Sequence, residues 1–94
     1  MVIYVAESGP DRAELTEALI KEGVTYQECP ARAKTELDVS TYKMVEIQAN
    51  LPEVKVPPTY TQGDGDMRAW RLPSGRLIIS DMEGNLEQIA PPLP

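Results

Sequence analysis

No histidine occurs among these 94 residues. That removes histidine metal ligands, Ser-His and Cys-His catalysis and histidine pH switching from consideration. A single cysteine, Cys29, rules out an internal disulfide. A reducing cytoplasm is the compartment expected from that usage. Phenylalanine is also missing, and the aromatics amount to four tyrosines and one tryptophan. The core is therefore expected to be built from Val, Ile, Leu, Met and Ala. No segment approaches the ~18 apolar residues of a membrane-spanning helix. The first residues lack the basic start and long apolar stretch of a signal peptide. Basic residues are the minority: nine Lys and Arg against fifteen Asp and Glu leave a net charge of −6. Nucleic acid and anionic membrane are disfavoured as partners, because neutralising phosphate needs a basic surface. The acidic residues are scattered along the chain, as suits a solubilising surface.

What remains is enough for one small folded domain. Residues 1–90 are expected to form it, with 91–94 as a proline-rich tail. Val2, Ile3, Tyr4 and Val5 form a near-continuous apolar run, suited to a strand covered on both faces. Ser8 can cap a helix, with Asp11 as its acidic counterpart and Pro10 in the first turn, where its missing N–H costs nothing. Leu15, Ala18, Leu19 and Glu22 follow the i, i+3, i+4, i+7 spacing of one helical face. Gly23 is placed to end that helix. Val24 and Tyr26 alternate with Thr25 and Gln27, as in a half-buried strand.

The middle of the chain reads as a short helix from about Pro30 to Asp38. Met44, Val45 and Ile47 suit either a strand or the apolar face of a helix, since the run is too short for periodicity to decide. Leu51 to Asp66 reads as a long loop stiffened by Pro52, Pro57 and Pro58, with an extended piece at Val54 to Val56. Met67–Leu72 and Arg76–Ser80 are the arms of a hairpin. Leu72-Pro73-Ser74-Gly75 supplies its turn, Pro fixing φ and Gly taking the left-handed position. A last short helix is expected over about Met82 to Ile89, capped by Ser80 or Asp81. Pro91-x-x-Pro94 has the spacing of a polyproline ligand.

Three stretches carry a family likeness. Val-Ile-Tyr is followed by a short loop, a proline at a helix start, a Leu-Ile-containing helix and Lys-Glu-Gly-Val-Thr-Tyr-Gln-Glu. Met67 to Ile78 supplies a closing hairpin, and Gly84 to Ile89 a last helix. In this wording and order the chain resembles the glutaredoxins and the wider thioredoxin-like fold. The resemblance implies a small α/β domain: a βαβ unit, then a β-hairpin and a short C-terminal helix. It also implies that redox chemistry has been lost. The family's Cys-Pro-x-Cys or Cys-Pro-x-Ser motif sits at the first helix N-terminus, where the helix dipole lowers the thiol pKa. Here those positions hold Gly9, Pro10, Asp11 and Arg12. The family's cis-proline position falls near Arg68 by hairpin register, or at Pro57 by local wording.

The leading functional reading is a non-catalytic protein-binding or regulatory module, with no cofactor and no metal. Its surface would combine Ser8, Gly9, Pro10 and Asp11 with the proline-rich loop Val56 to Gly65, Pro57 included. Tyr60, Trp70 and Arg71 are the candidate contact anchors, since Tyr, Trp and Arg carry much interface energy. Core packing is the competing role for Trp70. An enzyme reading places a monothiol redox or glutathione-linked activity at Cys29. There Cys29-Pro30-Ala31-Arg32 resembles a thiolate-stabilising helix start, and a half-buried structural thiol is the alternative. A third reading is a structural component of a larger assembly, with β-edge pairing through the hairpin and self-association as one form of it. Gly63-Asp64-Gly65-Asp66 lacks the ligand set of a calcium loop and reads as a turn.

Overall fold

The computed structural model describes residues 1–6, 10–30, 42–60 and 66–92. The backbone falls into two units, Met1–Asn50 and Leu51–Pro94.

The first unit holds β1 (Val2–Ala6), α1 (Pro10–Lys21), β2 (Tyr26–Pro30) and β3 (Tyr42–Ile47). Pro10 is the first helical residue, Asp11 lies in the first turn and Lys21 in the last, so the charges complement the helix dipole. The helix buries Leu15, Ala18 and Leu19, three of the four positions on the expected stripe. It ends on Gly23. The Val24 N–H donates to Leu19 C=O (2.9 Å) and the Gly23 N–H to Ile20 C=O (3.1 Å). Gly23 has φ +73, which a residue without Cβ adopts at no steric cost. Val24 and Leu19, the pair whose main chains the cap joins, are both buried, as is common at such helix ends.

The three strands form a sheet in the order β1-β3-β2, with β3 antiparallel to both neighbours. Met44, Val45 and Ile47 are thus strand residues. Val45 lies across from Ile3 on β1, and both are fully buried. Pro30 is the last residue of β2 and not a helix start. The rest of the helix expected over 30–38 lies outside the described residues.

The second unit is an antiparallel meander, β4 (Glu53–Val54), β5 (Met67–Arg71), β6 (Leu77–Asp81) and β7 (Leu86–Ala90), in that spatial order. A 3₁₀ turn, Pro58–Tyr60, interrupts the expected long loop. The β5–β6 hairpin forms as its sequence predicts. The Gly75 N–H donates to Leu72 C=O (2.9 Å), and the Leu72 N–H to Arg76 C=O (2.8 Å). Leu77, Ile78, Ile79 and Ser80 are all buried, so both faces of this central strand are covered. On one face, Ala69, Leu77, Ile79 and Ala90 form a cluster against which Val54, Val56, Tyr60 and Met67 pack. On the other, Trp70 lies across from Ile78, and Ile78 across from Ile89.

Two expectations are corrected. The chain does not form an α/β thioredoxin-like domain: it is mostly β, with two antiparallel sheets and one helix among the described residues. The order strand, helix, strand is present at the start. However, β3 inserts between β1 and β2, so they share no hydrogen bonds and no direct parallel pair forms. Nor is Met82–Ile89 a helix. Asp81 Oδ1 accepts the N–H groups of Glu83 and Asn85, both at 2.9 Å, and Oδ2 accepts from Asn85 Nδ2 at 2.8 Å. This carboxylate turns the chain where it was expected to cap a helix, a competition open to any Asp. Gly84 at φ +94 completes the reversal. Leu86, Ile89 and Ala90 then serve as strand residues, with Ile89 and Ala90 opposite Ile78 and Leu77. No helix among the described residues is long and apolar enough to cross a membrane.

Candidate functional site

The outer side of α1 is the one place where a large aliphatic side chain breaks the helical pattern. Ile20 follows Leu19 in sequence, yet Leu19 is fully buried and Ile20 is 68% exposed. Two adjacent helical residues point about 100° apart, so one can face the sheet while the next faces water. A shallow hollow of about 560 Å³ runs along this side, lined by Arg12, Ala13, Thr16, Glu17, Ile20 and Lys21. The Thr16 hydroxyl donates to Arg12 C=O at 3.0 Å, and the spacing of Ala13, Thr16 and Ile20 puts them on one side of the helix. Arg12 reaches back toward Glu28 on β2, Nε to Oε1 at 3.8 Å. The surface is therefore a small apolar centre with charge at its rim.

Of the residues singled out in the sequence, Pro10 and Asp11 begin this helix, and both are exposed. Ser8 and Gly9 lie outside the described residues. Pro57, Tyr60, Trp70 and Arg71 belong to the second unit. Pro57 C=O accepts the Tyr60 N–H at 3.0 Å, forming the 3₁₀ turn. Tyr60 packs on the Ala69, Leu77, Ile79 and Ala90 cluster. Trp70 sits on the opposite face of that sheet and is 7% exposed. Arg71 is exposed, and its N–H is taken by Pro52 C=O at 3.0 Å. The three proposed anchors thus do not share one face. The Val56–Pro57 bond is trans, and no cis peptide occurs among the described residues.

Cys29 is a half-buried free thiol on β2, opposite Met44 on β3. It lies within a strand, and residues 31–41, where the thiolate-stabilising helix start is expected, fall outside the described residues. Gly63, Asp64, Gly65 and Arg32 fall outside the described residues. Among the described residues, no three or more Cys, Asp or Glu side chains gather as a metal site would require.

Sequence reasoning missed two features. Ile20 was readable: it is the large aliphatic that falls off the Leu15, Ala18, Leu19 and Glu22 stripe. The second, an Arg68 clip, was not, because its partner is fifteen residues away. Arg68 donates two hydrogen bonds to the Glu53 carboxylate, at 2.7 and 3.1 Å. Its guanidinium also lies over Trp70, 4.9 Å from the ring centroid. The hydrogen bond from Arg68, and then its charge, hold the Glu53 carboxyl below its ordinary value, and the pairing raises Arg68. The sign follows directly. The stabilisation is present above the ordinary Glu pKa and is lost as pH falls through the lowered value. Both side chains remain open to solvent, so salt screens the pair. In an NMR titration the Glu53 side chain should titrate below an ordinary glutamate, and Arg68→Gln should bring it back. A wild-type midpoint at the ordinary value would refute the clip.

Comparison with family models, with curated proteins and with solved structures finds no match to this chain.

Proposed function

We propose that the chain is a non-catalytic protein-binding or regulatory module whose contact surface is the outer side of α1, beginning at Pro10 and Asp11. The observation that supports this reading is Ile20, an aliphatic side chain left 68% exposed on an otherwise regular helix. Leaving it in water forgoes a stabilisation of about 1.5–3 kcal/mol that burial would supply. Covering it with a partner recovers that term. Arg12, Glu17 and Lys21 around the hollow provide the polar rim that transient interfaces carry around an apolar centre. The partner surface would present a compact apolar group with polar groups around it.

The test is site-specific. A photo-crosslinking residue at position 20 should capture one discrete host protein, and the same residue at exposed Gln48 on the same unit should not. Ile20→Glu should then weaken binding of that protein at least about tenfold, or 1.4 kcal/mol. The folded state should be unchanged to within about 0.5 kcal/mol. Equal capture from positions 20 and 48, or binding unaffected by Ile20→Glu, would overturn the reading.

A further inference from the structure

Sulfur is scarce in this chain, with one cysteine and four methionines, yet a thiol and a thioether stand side by side in the first sheet. Cys29 on β2 lies directly across from Met44 on β3. The Gln48 N–H donates to Thr25 C=O at 2.9 Å, next to the Tyr26–Ile47 pair. Hydrogen-bonded pairs alternate along an antiparallel ladder, so Gln27–Glu46 and Cys29–Met44 are of the hydrogen-bonded kind, with Cα atoms about 5.5 Å apart. The two side chains of such a pair leave the sheet on one face, their Cβ atoms about 5 Å apart. Main-chain bonds therefore hold the Cys29 and Met44 side chains as neighbours.

Their face is the one turned away from α1. Arg12 on the helix reaches Glu28. Glu28 and Val45 face each other across the strands and alternate with Cys29 and Met44, so the sulfur pair points to the other side. Val45 is fully buried, whereas Cys29 and Met44 are both half-buried. The pair is sheltered, yet part of it remains open to solvent.

The geometry points to a two-sulfur site for a soft monovalent cation, Cu(I), with Cys29 Sγ and Met44 Sδ as its ligands. Thiolate and thioether are the donors that select Cu(I). Zinc needs a tetrahedral set and calcium a shell of oxygens, and the described residues gather no such set. Cu(I) is satisfied by two sulfurs in line. Metal–sulfur bonds of about 2.3 Å, the length zinc makes to thiolate, put those sulfurs about 4.6 Å apart. That span fits Cβ atoms about 5 Å apart on one face. Charge selects the same ion. On binding, the Cys29 thiol gives its proton to solvent and its sulfur lone pair to the metal. Thiolate and Cu(I) then cancel and the thioether is neutral, so the complex brings no net charge to a half-buried face. A divalent ion would leave one positive charge there, which burial penalises. Histidine is absent from the chain, so no imidazole competes for the metal.

Two measurements on the full, reduced chain test this, with Cu(I) alone as the probe and oxygen excluded. In the wild-type protein, NMR should show the Met44 ε-methyl signal moving as Cu(I) is added, up to one ion per chain. The Met82 methyl, on a side chain 58% exposed, should stay in place and serves as the internal control. Zn(II) at the same concentration should leave the Met44 methyl where it was. Affinity is then measured by competition with a chromogenic Cu(I) chelator. Cys29→Ser should abolish binding. Met44→Leu keeps the volume of the side chain and should weaken binding about tenfold or more, since loss of a direct ligand costs at least as much as loss of a group behind one. Unchanged affinity in Met44→Leu overturns the inference and leaves only a lone thiol. So does a Met44 methyl that ignores Cu(I), one that answers Zn(II) equally, or one that moves no more than Met82. Because the methyl shifts are read on the wild-type chain, the test stands even if a variant does not fold.

Discussion

Trp70→Ala is expected to cost about 3–5 kcal/mol of unfolding free energy. That is a large share of the roughly 5–15 kcal/mol available to a domain of ordinary size. The ring is 7% exposed and lies across from Ile78, which is fully buried on the central strand. Ile89 continues the same row on β7. Removing the indole leaves a cavity in a row that spans three strands, and the strands cannot close around it without breaking register. It also takes away the surface on which the Arg68 guanidinium rests. Trp70→Phe keeps most of the volume and should cost clearly less. Guanidinium unfolding of the three proteins measures this directly. A loss under about 1 kcal/mol for Trp70→Ala would mean that the ring is not core.

The second large effect is a contrast between neighbours. Leu19→Ala should cost about 2–5 kcal/mol, and Ile20→Ala about 0.5 kcal/mol or less. The two side chains are similar in size and adjacent in sequence. They differ in what surrounds them: Leu19 is fully buried and closes the helix cap with Val24, whereas Ile20 faces water. Alanine is also the best helix former, so truncating Ile20 gives back a few tenths of a kcal/mol in propensity. Thermal or denaturant unfolding of both variants decides it. Similar losses at the two positions would mean that the outer side of α1 is covered, and would remove the basis for reading it as a contact surface.

Local signals were legible in this chain where they were redundant. The first helix carries a proline at its start, an apolar stripe and a glycine at its end, and all three agree. The hairpin carries alternating arms and a Pro-Ser-Gly turn, and its two strands pair where those signals place them. Pairing between distant segments was not legible. Nothing in Tyr42–Ile47 says that it enters between two strands that precede it. That choice is made by Val45 and Ile47 reaching the same buried face as Ile3. The final segment misled for a different reason. Leu86, Ile89 and Ala90 have helical spacing, and Asp81 is a good helix cap. Asp and Asn serve turns as readily as caps, and here the Asp81 carboxylate bonds Asn85 and reverses the chain. The candidate surface was half legible. Pro10 and Asp11 lie at the head of the helix that bears it, but the side chain that singles it out is Ile20.

The placement of α1 and Trp70 has a practical consequence. The one α-helix described belongs to Met1–Asn50, and the one tryptophan in the chain belongs to Leu51–Pro94. Far-UV ellipticity near the helical minimum therefore reports mainly on the first unit, and indole fluorescence on the second. A wild-type melt read by both signals at once asks whether the halves are thermodynamically coupled, without labels or truncation. Coincident transitions would mean one cooperative event, and separated transitions two.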